Sequence, residues 1–208
     1  MDLLAELRLR KILAIIRADS PERALACVDT LVAAGITALE ISLTTPGAVE
    51  AITQARDAHD PTILIGAGTV LTPAQADQVA AAGATFVVTP AITQGAHRAV
   101  TLGLPLLCGA LTPTEVVAAL DLGATAIKIF PAKVHGPSYL RELAAPLPHA
   151  PLIAVGGVDA QSAPDYLAAG ALAVGVGSPL LGDAATGGPL EALTARAHDF
   201  RTALGVSR

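Results

Sequence analysis

Hydrophobic and polar positions along the chain repeat in one order: an Ala-rich stretch with helical spacing, a glycine, then a short apolar or β-branched run. The order reads AAGITALEIS at 33–42, AAGATFVVTP at 81–90, TLGLPLLCG at 101–109, DLGATAIKIF at 121–130 and AAGALAVGVG at 168–177. Gly35, Gly83, Gly103, Gly123 and Gly170 each stand where a helix should end in the left-handed conformation before a strand begins. KILAIIR at 11–17, TILIGAG at 62–68 and PLIAVGG at 151–157 bring the strand-like runs to eight. Helix starts are marked by Ser20-Pro21-Glu22, Thr45-Pro46, Thr72-Pro73, Thr112-Pro113 and Asp159, which offer capping side chains, several with proline at the first helical position.

The runs are almost continuously apolar rather than alternating, which predicts strands covered on both faces and therefore parallel. Eight βα units place the chain in the α/β class as a single (β/α)8 TIM barrel, one domain over residues 1–208. An open doubly wound sheet is disfavoured because no GxGxxG fingerprint follows the first run. The residues before 10 and after about 187 read as additional helices, the first an extra N-terminal one.

Composition narrows the function. Apolar residues make up 52% of the chain and aromatics 2%, so the core must be built from Ala, Val, Ile and Leu. A net charge of −5 with no basic run lacks the electrostatic stripe and stacking platforms of a nucleic-acid binder. The opening residues do not read as a secretory signal, and no apolar run reaches the ~18 residues of a membrane span, so a cytoplasmic protein is expected. Cys27 and Cys108 have neither redox nor metal spacing and read as core thiols. The histidines at 59, 97, 135, 149 and 198 are scattered singly, so no metal is expected, and His135 reads as a solvent-facing loop residue.

In a barrel the chemistry sits at the C-terminal ends of the strands, so polar residues late in each run matter most. Only three lysines are present, and Lys128 interrupts ATAIKIFP. Strand alternation puts Lys128 on one face with Ala126 and Phe130, and turns Ile127 and Ile129 toward the helices. Burial disfavours the ammonium form, and an unprotonated lysine attacks a ketone to give an imine that withdraws electrons from the neighbouring carbon–carbon bond. A lysine that merely reaches a carboxylate at the barrel end, or snorkels to solvent, is the alternative. Glu40 in LEISL shares a face with Ser42 and could move protons during imine formation, or serve only as an ion-pair partner. Arg17, ending KILAIIR, suits a substrate carboxylate, or an acidic loop. Gly156 and Gly157 in VGGVD, with Gly177 and Ser178 in VGVGS, end the seventh and eighth runs, where barrels commonly bind phosphate through loop amides and the start of a short helix. Tight turns made for packing alone would use the same glycines.

LEISLTTPGAVEAI, IGAGTVLTPAQ, VVTPAIT, KIFPAK and AVGGV together resemble the 2-keto-3-deoxy-6-phosphogluconate and 4-hydroxy-2-oxoglutarate aldolase family over about residues 8–182. The resemblance implies a class I aldolase, a lyase acting on small keto-acid and aldehyde substrates without metal or organic cofactor, as a homotrimer. It assigns the Schiff-base role to Lys128 and general acid–base work to Glu40. Thr69 would help hold the pyruvate carboxylate, Pro90 and Phe130 would line the pocket, and Gly156, Gly157 and Ser178 would bind phosphate. Two departures stand out. Thr44 replaces the arginine of a motif resembling LEVTLRT, leaving the carboxylate to Thr69 and Arg17, and Val155 replaces a threonine beside the paired glycines. Both lean toward the phosphogalactonate branch. The rival readings are an aldolase or decarboxylase for unphosphorylated 4-hydroxy-2-oxoglutarate or oxaloacetate, and a noncatalytic sugar-phosphate-binding barrel.

Overall fold

The computed structural model describes residues 2–206 and closes eight parallel strands into a barrel in sequence order. The strands are β1 (Ile12–Ile16), β2 (Ala38–Ser42), β3 (Leu64–Gly68), β4 (Val87–Thr89), β5 (Leu106–Ala110), β6 (Ala126–Ile129), β7 (Leu152–Val155) and β8 (Ala173–Val176). Closure is made by β1 on β8, with Ile12 opposite Val174 and Ala14 opposite Val176. The helices are α1 (Leu3–Arg10), α2 (Pro21–Ala33), α3 (Ala48–Ala58), α4 (Pro73–Ala81), α5 (Gln94–Thr101), α6 (Pro113–Leu122), α7 (Gly136–Ala144), α8 (Ala163–Ala168), α9 (Ser178–Leu181) and α10 (Leu190–Ala203). Among the described residues, no helix is long and apolar enough to cross a membrane.

The apolar residues divide into two cores because successive strand side chains face opposite ways. Ile12, Ala14, Ile16, Leu39, Ile41, Ile127 and Ile129 point outward and pack against the helices. Leu13, Ile15, Ala38, Leu64, Phe86, Leu107, Ala126, Ile153 and Ala173 point inward, where Leu3 and Leu7 of α1 join them. Those two leucines, one helical turn apart, seal the N-terminal end of the barrel. Asp2 starts this plug by accepting hydrogen bonds from the amides of Leu4 and Ala5.

All five glycines read as helix stops have positive φ, from 74° at Gly103 to 100° at Gly170. Ser20, Thr72 and Thr112 cap helices as expected, the latter two in capping boxes with Gln75 and Glu115. Two expected caps differ. Helix α3 begins after Gly47 with no side-chain cap, because the Thr45 hydroxyl accepts a hydrogen bond from the Ala18 amide at 3.0 Å. A buried amide needs that partner more than a helix end open to water does. Asp159 is bonded to Ser162 in a local turn, and α8 starts one residue later, at Ala163.

Candidate active site

Glu40 and Lys128 are the charged side chains that β2 and β6 turn into the barrel. Glu40 is 1% exposed and Lys128 9%. Each is a face-mate of an inward alanine, Ala38 and Ala126 respectively, which fixes their direction by strand alternation alone. The neighbouring strand makes room for the acid: Glu40 pairs with Gly66 in register, and a side chain on Gly68 would overlap the Glu40 carboxylate. Glycine at 68 is therefore what seats Glu40.

No ion pair or hydrogen bond joins Lys128 to Glu40 among the described residues, whose ion pairs are Arg10–Glu6, His59–Asp29 and Arg98–Asp77. Glu40 Oε2 is buried without a hydrogen-bond partner, a condition that normally has a functional or structural reason. Lys128 Nζ lies 5.3 Å from the centre of the Phe130 ring, a cation–π geometry. The edge of that ring in turn lies against Gly156, where a Cβ would come within 3.0 Å of it. Phe130 thus spans from the amine to the first glycine of the β7 loop, with 43% of its surface exposed toward solvent.

Burial raises the Glu40 carboxyl above its ordinary value of 4.5, against the opposing pull of Lys128 and Arg17. A carboxyl whose midpoint rises on folding stabilises the fold while protonated: the contribution is complete below 4.5 and is lost as pH climbs through the higher folded midpoint. Glu40→Gln, which cannot ionise, should therefore gain in melting temperature over the wild type as pH is raised from 4.5 to 8. Each pH unit of elevation corresponds to about 1.4 kcal/mol, or about 3–5 °C for a chain of this size. Calorimetry across that pH range reads the difference, and a pH-independent gap would contradict the raised midpoint.

The remaining expected residues surround the same end of the barrel. Arg17 follows β1 and donates from Nε to Thr44 Oγ1 at 3.0 Å. Thr69 follows β3 with φ 61°, and its hydroxyl is 2.9 Å from Ser42 Oγ. Pro90 follows β4, and its carbonyl crowds the backbone of Gly109, which pairs with Lys128. Val155 is buried in the inner wall against Gly175. Gly156 and Gly157 turn the β7 loop with φ 100° and 75°. Gly177 follows β8 beside Ile15, and Ser178 opens α9 at the surface.

Surface cavities of 990 and 550 Å³ lie at the opposite end, the first lined in part by Arg10, Gly35 and Arg201 and the second by Lys11 and His149. That end of a barrel carries stability rather than chemistry: its buried cation, Arg201, donates to the Ala34 and Val206 carbonyls, and among the described residues no buried carboxyl accompanies it.

The family model described as KDPG and KHG aldolase matches residues 3–189. The 2-dehydro-3-deoxy-6-phosphogalactonate aldolase of Escherichia coli K12 is 41% identical over 171 residues, 81% of this chain and 83% of that protein. The chain belongs to the KDPG and KHG aldolase family. A native KDPGal structure superposes on this aldolase with a TM-score of 0.87 at 38% identity, covering 93% of this chain and 94% of that one. A KDPG aldolase from Legionella pneumophila, with pyruvate captured at low pH as a covalent carbinolamine intermediate, gives 0.85 at 29% identity over 94% and 96% of the two chains.

Two features of this aldolase's site were not singled out from the sequence. Ser42 is fully buried between Thr44 and Thr69, and its only sequence signal was sharing a strand face with Glu40. Lys133 donates its amide hydrogen to the Gly156 carbonyl and lays its stem along Gly157, so the β7 loop has a cationic neighbour that was not among the expected site residues.

Proposed function

We propose that this aldolase cleaves 2-keto-3-deoxy-6-phosphogalactonate to pyruvate and glyceraldehyde 3-phosphate through a Schiff base on Lys128. The observation that carries the reading is the burial of Lys128 and Glu40 inside one end of the barrel, with a carboxylate oxygen left unpartnered. A buried pair is a poor source of stability because desolvation offsets attraction, and unpaired groups are poorer still. Catalysis accounts for both.

The Lys128 amine adds to the C2 ketone, and Glu40 supplies the proton that lets the carbinolamine lose water. Glu40 then accepts the proton of the C4 hydroxyl while the C3–C4 bond breaks. Its electrons move into the iminium, leaving an enamine of pyruvate and releasing the aldehyde. Protonation at C3 and addition of water return pyruvate and the free amine. The protonated imine is the electron sink, so the residues of the chain suffice for each step.

Arg17 and Thr69 would hold the carboxylate, the guanidinium through charge-assisted hydrogen bonds. Phe130 and Pro90 would wall the keto-acid. Amides of Gly156, Gly157, Gly177 and Ser178 would receive the phosphate, with Lys133 adding positive charge beside Gly157. Incubation with pyruvate and borohydride should leave one reduced adduct on Lys128, read by peptide mass spectrometry. Unphosphorylated 4-hydroxy-2-oxoglutarate is the comparison substrate: equal kcat/KM would remove the phosphate role from the glycine loops.

Val155 supports the galactonate epimer, since it presents only methyl groups to the barrel interior beside the glycine pair. Val155→Thr should raise kcat/KM for the gluconate epimer relative to the galactonate epimer by roughly 3–10-fold, the scale of one hydrogen bond. Parallel kinetics on the two substrates decide it, and an unchanged ratio would detach position 155 from epimer choice. We further assign the enzyme to the cytoplasm, in keeping with its two buried free thiols. We assign a homotrimer on the family resemblance, testable by native mass spectrometry.

A further inference from the structure

Ser42 sits in the middle of a hydroxyl chain that starts at a cation. Arg17 Nε is 3.0 Å from Thr44 Oγ1, Thr44 Oγ1 is 2.9 Å from Ser42 Oγ, and Ser42 Oγ is 2.9 Å from Thr69 Oγ1. A guanidinium nitrogen can only donate, so Thr44 accepts at the first link. An oxygen whose lone pair is held by a cation becomes a stronger donor at its own hydrogen. The order this favours is Thr44 donating to Ser42 and Ser42 to Thr69, where geometry alone lets either oxygen of each pair donate. The Thr69 hydroxyl ends the chain with its hydrogen uncommitted. Run the other way, Thr69 would use its hydrogen on Ser42 and present only lone pairs at the barrel mouth, which repel an anion.

We propose that Ser42 is a positioning residue for the keto-acid carboxylate. It transmits the donor direction set by Arg17 to Thr69, so that the guanidinium and the Thr69 hydroxyl address one anion as donors. This rests on the carboxylate-binding reading of Arg17 and Thr69. Two further observations fit. Ser42 has no exposed surface, so water cannot replace its hydroxyl. Thr69 holds φ 61°, a conformation costly for a β-branched residue, and the bond from Ser42 braces it. Thr44, which stands where the resembling motif carries arginine, becomes the link between the strand-one guanidinium and the hydroxyls.

The test compares borohydride trapping of the full-length protein by pyruvate and by acetone, which has the ketone without the carboxylate. Ser42→Ala should slow trapping by subsaturating pyruvate roughly tenfold, the scale of a hydrogen bond to a charged group, and leave acetone trapping unchanged. Ser42→Cys, which keeps volume but donates weakly, should behave like Ser42→Ala. Ser42→Thr keeps the hydroxyl and should restore pyruvate trapping. In an Arg17→Met background the Ser42→Ala effect should largely vanish, since the cation that sets the direction is gone. Equal loss with both ketones would mean a packing role and overturn the proposal, as would an unchanged pyruvate rate or failure of Ser42→Thr to rescue. If wild-type protein is not trapped by pyruvate at Lys128, the Schiff-base reading falls and takes this one with it. Trapping of the wild type without the pyruvate–acetone split removes the relay alone.

Discussion

Lys128→Ala should lose turnover by roughly 10^5–10^6-fold, the scale on which covalent enzymes fail when their nucleophile is removed. Deletion of the amine takes away the electron sink as well as the attachment point, and no other lysine can substitute. Lys11 is engaged with the Leu204 carbonyl behind the α1 plug, and Lys133 lies exposed along the β7 loop. Pyruvate release followed by coupled reduction measures the rate, and borohydride with labelled pyruvate should leave the variant unmodified. Circular dichroism controls for folding, since the substitution empties a buried position. Cleavage at the wild-type rate would eliminate the imine mechanism.

Glu40→Gln should lower kcat by roughly 10²–10⁴-fold, the usual contribution of a positioned proton-transfer group, with KM within about threefold of wild type. The amide fits the volume that Gly68 leaves free, so the change isolates proton transfer from packing. Exchange of the pyruvate methyl hydrogens for solvent deuterium provides a second reading, because it needs the enamine but no carbon–carbon cleavage. Exchange should slow along with turnover. Normal exchange with slow cleavage would confine Glu40 to the aldehyde side of the reaction, and normal turnover would end its role.

Much of this site could be read from strand alternation. Eight apolar runs, five of them behind a helix-stopping glycine, set the barrel, and a period of two was enough to send Lys128 and Glu40 inward while their isoleucine neighbours faced the helices. The pattern held because both groups interrupt runs that are otherwise apolar. What escaped was everything that depends on which strand lies beside which at what height. Thr45 looked like a cap from its proline neighbour, yet its hydroxyl serves a buried amide that follows β1. Ser42 looked like one more small strand residue, and only the register of β2 on β3 brings its oxygen to Thr69. The ion pair that stood as the alternative role for Glu40 does not form with Lys128 among the described residues. Hydrogen bonds between residues 27 apart in sequence, as at Arg17–Thr44 and Ser42–Thr69, leave no mark in local periodicity.

The Glu40–Gly68 arrangement bears on how this barrel can be recombined with others. The carboxylate occupies space that exists only because the adjacent strand carries hydrogen in place of a methyl group. A chimera joined anywhere in the α3 segment inherits the acid from one parent and the vacancy from the other. Such hybrids will be viable only between parents that share both halves, and shuffling libraries should keep β2 through β3 as a single exchangeable block.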